Sequence, residues 1–270
     1  MSELRTLMSG IAMGESPRWR DGRLYFCDWG LGRIVRVEDD GAGTVLADVG
    51  DMPICIDWLP DGRLLAVSGK QGRLLEVGDR TVEQHAVLGD GRWNEIAVDR
   101  RGNAFVNDIG FDFPGGDYRP GRVCVLTPGA GAPREVADGL AFPNGMAVRG
   151  DTLIVAESYA GRLTAFDIAA DGGLGDRREF AAVEGSAPDG ICVDAEGAVW
   201  FADVPNRRCV RVAEGGTILA TVDADRGCFS CALGGPDGRT LFITANQWGE
   251  QGAADGVVYA TEVAVPALGH

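Results

Sequence analysis

Six times along the chain a short turn containing glycine follows an apolar segment: Asp21-Gly22, Asp61-Gly62, Arg101-Gly102, Gly150-Asp151, Glu196-Gly197 and Asp237-Gly238. The turn glycines lie 40, 40, 48, 47 and 41 residues apart. The segments between them are short and bounded by turn residues, which is the pattern of strands rather than helices. A unit of about 40 to 50 residues built from short strands is the signature of a β-propeller, whose four-stranded blades cannot bury their faces alone. Six such units in 270 residues predict an all-β, six-bladed β-propeller, read as one domain over residues 1–270. Blade four is the clearest, with strands expected over 145–148, 152–156, 161–168 and 178–183. Residues 3–12 are expected to pair with the strand at 257–263 and close the ring.

The repeat also lets equivalent positions be compared within one sequence. Counting back about eight residues from each turn reaches Glu15, Ile54, Asn94, Asn144, Asp189 and Ser230 at the start of each blade's first strand. Where apolar filler is expected, four of these slots hold a carboxylate or an amide. In an up-and-down blade the glycine turns fall at one end and the slots at the other, near the axis. The loops joining second and third strands share the slot end. Two of those loops are long: 107–121, with Phe111, Phe113 and Tyr118, and 246–256, with Trp248. Both are candidate lids.

Converging carboxylates repel one another, and drying them adds to the cost. A bound cation removes the problem; the alternative is a hydrated polar channel without an ion. Oxygen donors without histidine or cysteine are hard ligands, suited to Ca²⁺, Mg²⁺ or Mn²⁺, although Zn²⁺ and Fe²⁺ also accept them. A cation with open positions could polarise a carbonyl. The base for such chemistry has few candidates. The two histidines are His85, in a polar segment expected on an outer strand, and the terminal His270, and there is no G-x-S-x-G motif. That leaves a carboxylate, with Asp189 favoured between Pro188, which restricts the backbone, and Gly190, which allows close approach. A cation-bound carboxylate is a weak base, but it can orient water that the cation has acidified.

The net charge of −15 argues against nucleic acid and anionic membrane surfaces as partners. No apolar run reaches the roughly 18 to 20 residues a membrane span needs, and no signal segment opens the chain, so a cytoplasmic location is expected. Most of the seven cysteines (Cys27, Cys55, Cys124, Cys192, Cys209) sit in apolar strand contexts and read as core thiols. Cys228 and Cys231 form a lone C-x-x-C, weak evidence for zinc or redox chemistry. Gly129-Ala130-Gly131 reads as a turn, not a dinucleotide loop.

Several motifs together resemble the senescence marker protein, regucalcin and gluconolactonase family: Gly14-Glu15-Ser16-Pro17, Arg92-Trp93-Asn94-Glu95, Phe142-Pro143-Asn144-Gly145-Met146, Pro188-Asp189-Gly190 and Leu233-Gly234-Gly235-Pro236-Asp237. The likeness spans nearly the whole chain. It implies a six-bladed propeller holding one divalent cation on Glu15, Asn144 and Asp189. It also implies substrate contacts from Arg92 and Asn94, with Asp189 as general base. Glu95 departs from the family pattern, where aspartate is common, and the blade-three loop matches no sugar-binding lid.

The leading expectation is a metal-dependent hydrolase that opens a lactone, above all a sugar (aldono)lactone, with calcium the first choice of cation. Alternatives are phosphotriester hydrolysis on the same site, or a propeller that binds calcium or a ligand without turnover. A branch resembling strictosidine synthase does metal-free carbon-carbon bond formation, and the intact Glu15, Asn144 and Asp189 set argues against it. The partner expected in each enzymatic case is a small molecule.

Overall fold

The computed structural model describes residues 3–38, 41–79, 81–247 and 254–269. The N-terminal strand β1 (Arg5–Ile11) belongs to the last blade. Blade one is β2 (Gly14–Arg20), β3 (Arg23–Asp28), β4 (Arg33–Val37) and β5 (Gly43–Asp48). Blade two is β6 (Ile54–Trp58), β7 (Leu64–Ser68), β8 (Arg73–Val77) and β9 (Val82–Val87). Blade three is β10 (Trp93–Val98), β11 (Ala104–Asp108), β12 (Gly121–Leu126) and β13 (Arg134–Leu140). Blade four follows as β14 (Pro143–Arg149), β15 (Thr152–Glu157), β16 (Arg162–Ile168) and β17 (Leu174–Ala182). Blade five is β18 (Pro188–Val193), β19 (Val199–Asp203), β20 (Arg208–Val212) and β21 (Ile218–Asp223). Blade six combines β22 (Gly227–Gly234), β23 (Thr240–Asn246) and β24 (Gly256–Glu262) with β1 as its outer strand.

Each sheet is antiparallel, and the first strands β2, β6, β10, β14, β18 and β22 touch one another in a closed circle. The closing strand is the expected one: β1 pairs with β24 from Arg5 opposite Ala260 to Ile11 opposite Gly256. All six turn glycines that revealed the repeat adopt positive φ, from +61° at Gly150 to +92° at Gly62. That conformation strains any residue with a Cβ, which is why glycine recurs there.

Among the described residues the buried apolar side chains form six clusters, each pressed between two neighbouring blades. Between blades two and three, for example, Cys55, Leu65 and Leu74 meet Trp93, Ile96 and Val106. Between blades six and one, Phe242 stacks on Trp19 at 5.3 Å. With the apolar faces satisfied between blades, the axial ends of the first strands are free to carry polar groups. No helix among the described residues is long and apolar enough to cross a membrane.

Candidate functional site at the axial end of the first strands

The slot residues lie where counting placed them, and a local irregularity re-aims most of them. In blades one, three, four and five the first strand carries one extra residue at the slot. Glu15 to Arg18 spans Cys27 to Tyr25, Trp93 to Ile96 spans Asp108 to Val106, Pro143 to Met146 spans Glu157 to Val155, and Pro188 to Ile191 spans Asp203 to Phe201. Blade six has a similar shift between Cys228 and Ser230, whereas the Ile54 strand pairs without one. A bulge bends the strand and turns one side chain out of the alternation. The four carboxylate and amide slots are thus all bulged, and so is the serine slot of blade six. The count from turn to slot is shorter in blades one and four because their first hairpin turns hold two residues (21–22 and 150–151), against five in the other blades.

Glycines after two slots let the first strands close up. A Cβ on Gly145 would lie 2.3 Å from the Asp189 carbonyl oxygen, and one on Gly190 would lie 1.9 Å from Ser230 Oγ. The Asn-Gly and Asp-Gly pairs therefore put polar side chains on strands packed more tightly than any side chain would permit. The bound on Gly190 agrees with its expected close approach.

A second set of polar residues, one per blade, anchors the loops entering these strands. At the end of each second strand sit Asp28, Ser68, Asp108, Glu157, Asp203 and Asn246, opposite Gly14, Ile54, Trp93, Pro143, Pro188 and Gly227. Asp28 accepts hydrogen bonds from the Ala12 and Met13 amides (3.1 and 3.0 Å), Asp108 from Arg92 (2.8 Å), Glu157 from Ala141 (2.7 Å) and Asp203 from Ala187 (3.1 Å). These buried carboxylates are saturated by backbone donors and, in blades three to five, by Arg122, Arg162 and Arg208. Their hydrogen bonds hold loops in place.

The slot residues behave differently. Asn94 donates from Nδ2 to Asn144 Oδ1 at 3.0 Å, and Asn144 Nδ2 donates to Ser158 Oγ at 3.3 Å. Ser158 Oγ donates to the Pro188 carbonyl at 2.7 Å, and Asn107 Nδ2 to the Asn144 carbonyl at 2.6 Å. Blades three, four and five are thereby laced together around Asn144. Glu15 is 6 % exposed and Asn94 7 %, while Asn144 and Asp189 keep a partly open face.

Three carboxylates share this region with one guanidinium. Glu95 is buried, its Oε1 accepting from Arg18 Nη2 at 3.2 Å and from the Ile96 amide at 2.8 Å. That ion pair runs from blade one to blade three, past blade two. Burial pushes the Glu15 pKa well above the ordinary carboxylate range, and the charges of Asp189 and Glu95 push it further, with Arg18 pulling back weakly. Burial raises Asp189 in the same way, with Glu95 adding to it, while the Gly190 amide and the Asn144 side chain lower it. Both groups therefore sit in surroundings that resist two negative charges.

That donor set fits a divalent cation. If Glu15, Asp189 and Glu95 are all ionised, the guanidinium of Arg18 leaves at least two negative charges unbalanced, Asp57 adding its own charge near Arg18 and Glu95, and carboxylate and amide oxygens are what a hard cation takes. Glu15, Asn144 and Asp189 would hold it. Among the described residues, no group of three or more histidine, cysteine, aspartate or glutamate side chains is arranged for a metal, so such a site depends on the amide of Asn144.

Arg92 sits apart from this cluster, at the rim. Its side chain is half exposed and paired with Asp112, in the loop between β11 and β12. That loop occupies the slot end, as expected of a candidate lid. Its neck is pinched where Gly110 packs against Pro120. Phe111, Phe113 and Tyr118 from it meet Phe142 and Tyr159 of blade four. Trp248 and most of the second candidate lid, like His270, lie outside the described residues.

The remaining candidates fall where chemistry at the axis does not use them. His85 is on β9, the outer strand of blade two, with Nδ1 3.3 Å from Glu76 Oε2. Six of the seven cysteines are buried and all are free. Cys228 and Cys231 are in the core between blades five and six, where Cys231 Sγ lies 3.9 Å from Cys192 Sγ. Arg18, Asn107 and Ser158 were not anticipated. The signal available for Arg18 was a basic residue three positions after Glu15 in the same first strand.

Comparison with known proteins agrees with this architecture. The pentonolactonase XacC of Haloferax volcanii is 28 % identical over 267 residues, covering 95 % of this chain and 89 % of the relative. The 6-deoxy-6-sulfogluconolactonase of Pseudomonas putida is 27 % identical over 272 residues, covering 94 % and 92 %. Among solved structures, a calcium-binding protein, regucalcin, from Agrobacterium tumefaciens superposes with a TM-score of 0.83 at 19 % identity, covering 98 % of this chain and 95 % of that one. The family described as the SMP-30/Gluconolactonase/LRE-like region matches residues 13–247, so the chain belongs to that family.

Proposed function

We propose that this protein hydrolyses a sugar lactone with the help of one divalent cation, calcium being the first candidate. The observation that carries the reading is the convergence of Glu15, Asn94, Asn144 and Asp189 beside a buried carboxylate excess, in a chain similar over most of its length to two proteins named lactonases. When bound, the cation supplies charge for polarising a carbonyl and for lowering the pKa of water.

The chain's own residues then divide the work. Asp189 orients a water molecule and accepts its proton on the carboxylate, which its partly open face allows. The hydroxyl oxygen bonds to the lactone carbonyl carbon, the ring carbon–oxygen bond breaks, and the departing ring oxygen regains a proton to give the hydroxy acid. Asn94 is held by Asn144 with its amide in the site, and Arg92 stands at the rim, so both contact substrate oxygens. Glu95, held by Arg18, fixes the first strand of blade three and supports Asn94. An Asn in place of Asp189 keeps the shape and removes the base.

The test is turnover of an aldonolactone panel by the calcium-loaded protein, with Asp189→Asn beside it. Loss of a base contributes roughly 10²- to 10⁴-fold, and the variant should fall by that much. Hydrolysis by Asp189→Asn at the parent rate would refute Asp189 as base. Absence of any divalent-cation binding would refute the metal-dependent mechanism.

A further inference from the structure

We propose that Cys192 and Cys231 are a reversible redox pair, and that the disulfide they close under peroxide staples blade five to blade six beside Asp189. The effect of that bond on turnover rests on the lactonase reading above; the bond itself does not.

Four thiols share the core between blades five and six: Cys192 on β18, Cys209 on β20, and Cys228 and Cys231 on β22. Residues three apart on a regular strand face opposite ways. The register shift between Cys228 and Ser230 supplies the irregularity that turns Cys228 and Cys231 into the same core. Within the group, the sulfurs of Cys192 and Cys231 lie 3.9 Å apart, across two strands rather than along one. The strands already touch there, because a Cβ on Gly190 would lie 2.6 Å from the Ser230 Cα. A disulfide needs sulfurs about 2.05 Å apart on closely spaced backbones, so this pair closes with a small shift of strands in contact. Access points to the same pair. Cys192 is the one cysteine of the seven that is not buried, so a small oxidant meets it first.

The chemistry balances with a peroxide as oxidant. The Cys192 sulfur attacks one peroxide oxygen, the oxygen–oxygen bond breaks, and the other oxygen leaves with the thiol proton as water or alcohol. The Cys231 sulfur then attacks the resulting sulfenic acid, the sulfur–oxygen bond breaks, and the hydroxyl leaves as water with the Cys231 proton. The two thiols lose two electrons and two protons, and the peroxide is reduced. A dithiol reductant reverses the bond by exchange.

The pair adjoins the candidate reaction site. Cys192 is three residues after Asp189, and the Cys231 thiol donates to the carbonyls of Gly190 (3.7 Å) and Trp200 (3.6 Å). Closing the bond removes that donor and draws the sulfurs together by about 1.9 Å. Shared between the strands, that is about 1 Å at each, and a misplacement of about 1 Å can cost 10²-fold in rate. Oxidised protein should therefore hydrolyse lactone about 10- to 100-fold more slowly.

The experiment treats the calcium-loaded full chain with hydrogen peroxide, blocks the remaining thiols and identifies joined cysteines by non-reducing peptide mapping. The expected result is the loss of two of the seven thiols, one cross-link between the Cys192 and Cys231 peptides, and recovery of thiols and rate with dithiothreitol. Cys192→Ser should leave Cys231 unjoined and keep its turnover through the same treatment. The mapping is done on the parent, so the pair is decided even where that variant folds poorly. A cross-link between other cysteines, or Cys192 oxidised further while Cys231 stays a thiol, overturns the proposal. So does a Cys192–Cys231 bond that leaves the rate unchanged. If neither form turns over any lactone, the hydrolytic reading fails. The bond is then judged by the mapping, and its reach to Asp189 by calcium affinity, which should fall on oxidation; an unchanged affinity overturns that reach.

Discussion

Replacing Gly145 with alanine tests whether close strand approach builds the site. The new Cβ would lie 2.3 Å from the Asp189 carbonyl oxygen, 2.7 Å from the Ile191 nitrogen and 2.8 Å from the Gly190 Cα. All three are backbone atoms, so no rotamer change relieves the contact. Favourable separations are about 3.5 Å or more for carbon pairs, which means β14 and β18 must part by roughly 1 Å. Overpacking of this kind costs about 1 to 3 kcal/mol, and the upper part of that range applies because only backbone can yield. At roughly 2 to 4 °C per kcal/mol for a chain of this size, Tm should fall by about 4 to 12 °C. The displaced carbonyl belongs to Asp189 itself, and a misplacement of about 1 Å can cost 10²-fold in rate. Thermal unfolding followed by circular dichroism gives the first number, and lactone hydrolysis with calcium saturating gives the second. Gly131→Ala is the control, because nothing lies within 4 Å of its Cβ position. It should leave both numbers close to the parent. If Gly145→Ala also melts within about 2 °C of the parent and keeps its kcat, the strands tolerate a side chain there and the packing argument is wrong.

Other outcomes follow from the same cluster. Arg18→Met strands Glu95 in the interior and should cost about 3 to 5 kcal/mol by urea unfolding, most of it restored in Arg18→Met/Glu95→Gln; equal losses in the single and double variants would count against the ion pair. Glu15→Gln removes a charged oxygen donor, so calcium affinity measured by calorimetry should drop at least about tenfold, and an unchanged affinity would exclude Glu15 as a ligand. Glu15 and Asp189 bind protons more tightly folded than unfolded, so cation-free protein is favoured at low pH and loses that advantage as pH rises through the raised folded values. Carboxylates held low, such as Glu157 and Asp225, lose their contribution only at more acid pH. The urea midpoint of chelator-treated protein should therefore be higher near about pH 5.5 than near about pH 8, with calcium narrowing the gap. A gap that calcium leaves unchanged would mean the cation binds elsewhere.

The ring was legible because it is written in local chemistry. A tight turn needs positive φ wherever it occurs, so glycine reports six turns without knowledge of any long-range contact. The slots were legible only through that register, and the two lengths of hairpin turn blurred it by a residue or two. What stayed hidden depends on contacts between blades. Arg18 and Glu95 are 77 positions apart, and nothing local distinguishes a guanidinium aimed at a carboxylate two blades away from one aimed at solvent. Glu95 stood out as a departure from a pattern, with no role attached. The loop aromatics Phe111, Phe113 and Tyr118 were visible as a group, but their partners Phe142 and Tyr159 come from the next blade. The loop anchors escaped notice because one geometric duty is performed by aspartate, glutamate, serine and asparagine in turn.

Closure by β1 has a consequence for how this chain can vary. The pairing of Arg5 with Ala260 joins two strands about 255 positions apart, so the circle cannot be completed until all the blades between them have been synthesised. It also fixes the number of repeats. An open solenoid can gain or lose a unit at either end, but here removing one blade would leave a gap that the clasp cannot span, and adding one would have no place to sit. Length changes are therefore tolerated in the connections rather than in the count of blades, and connections at the slot end are the ones that alter what reaches the axis.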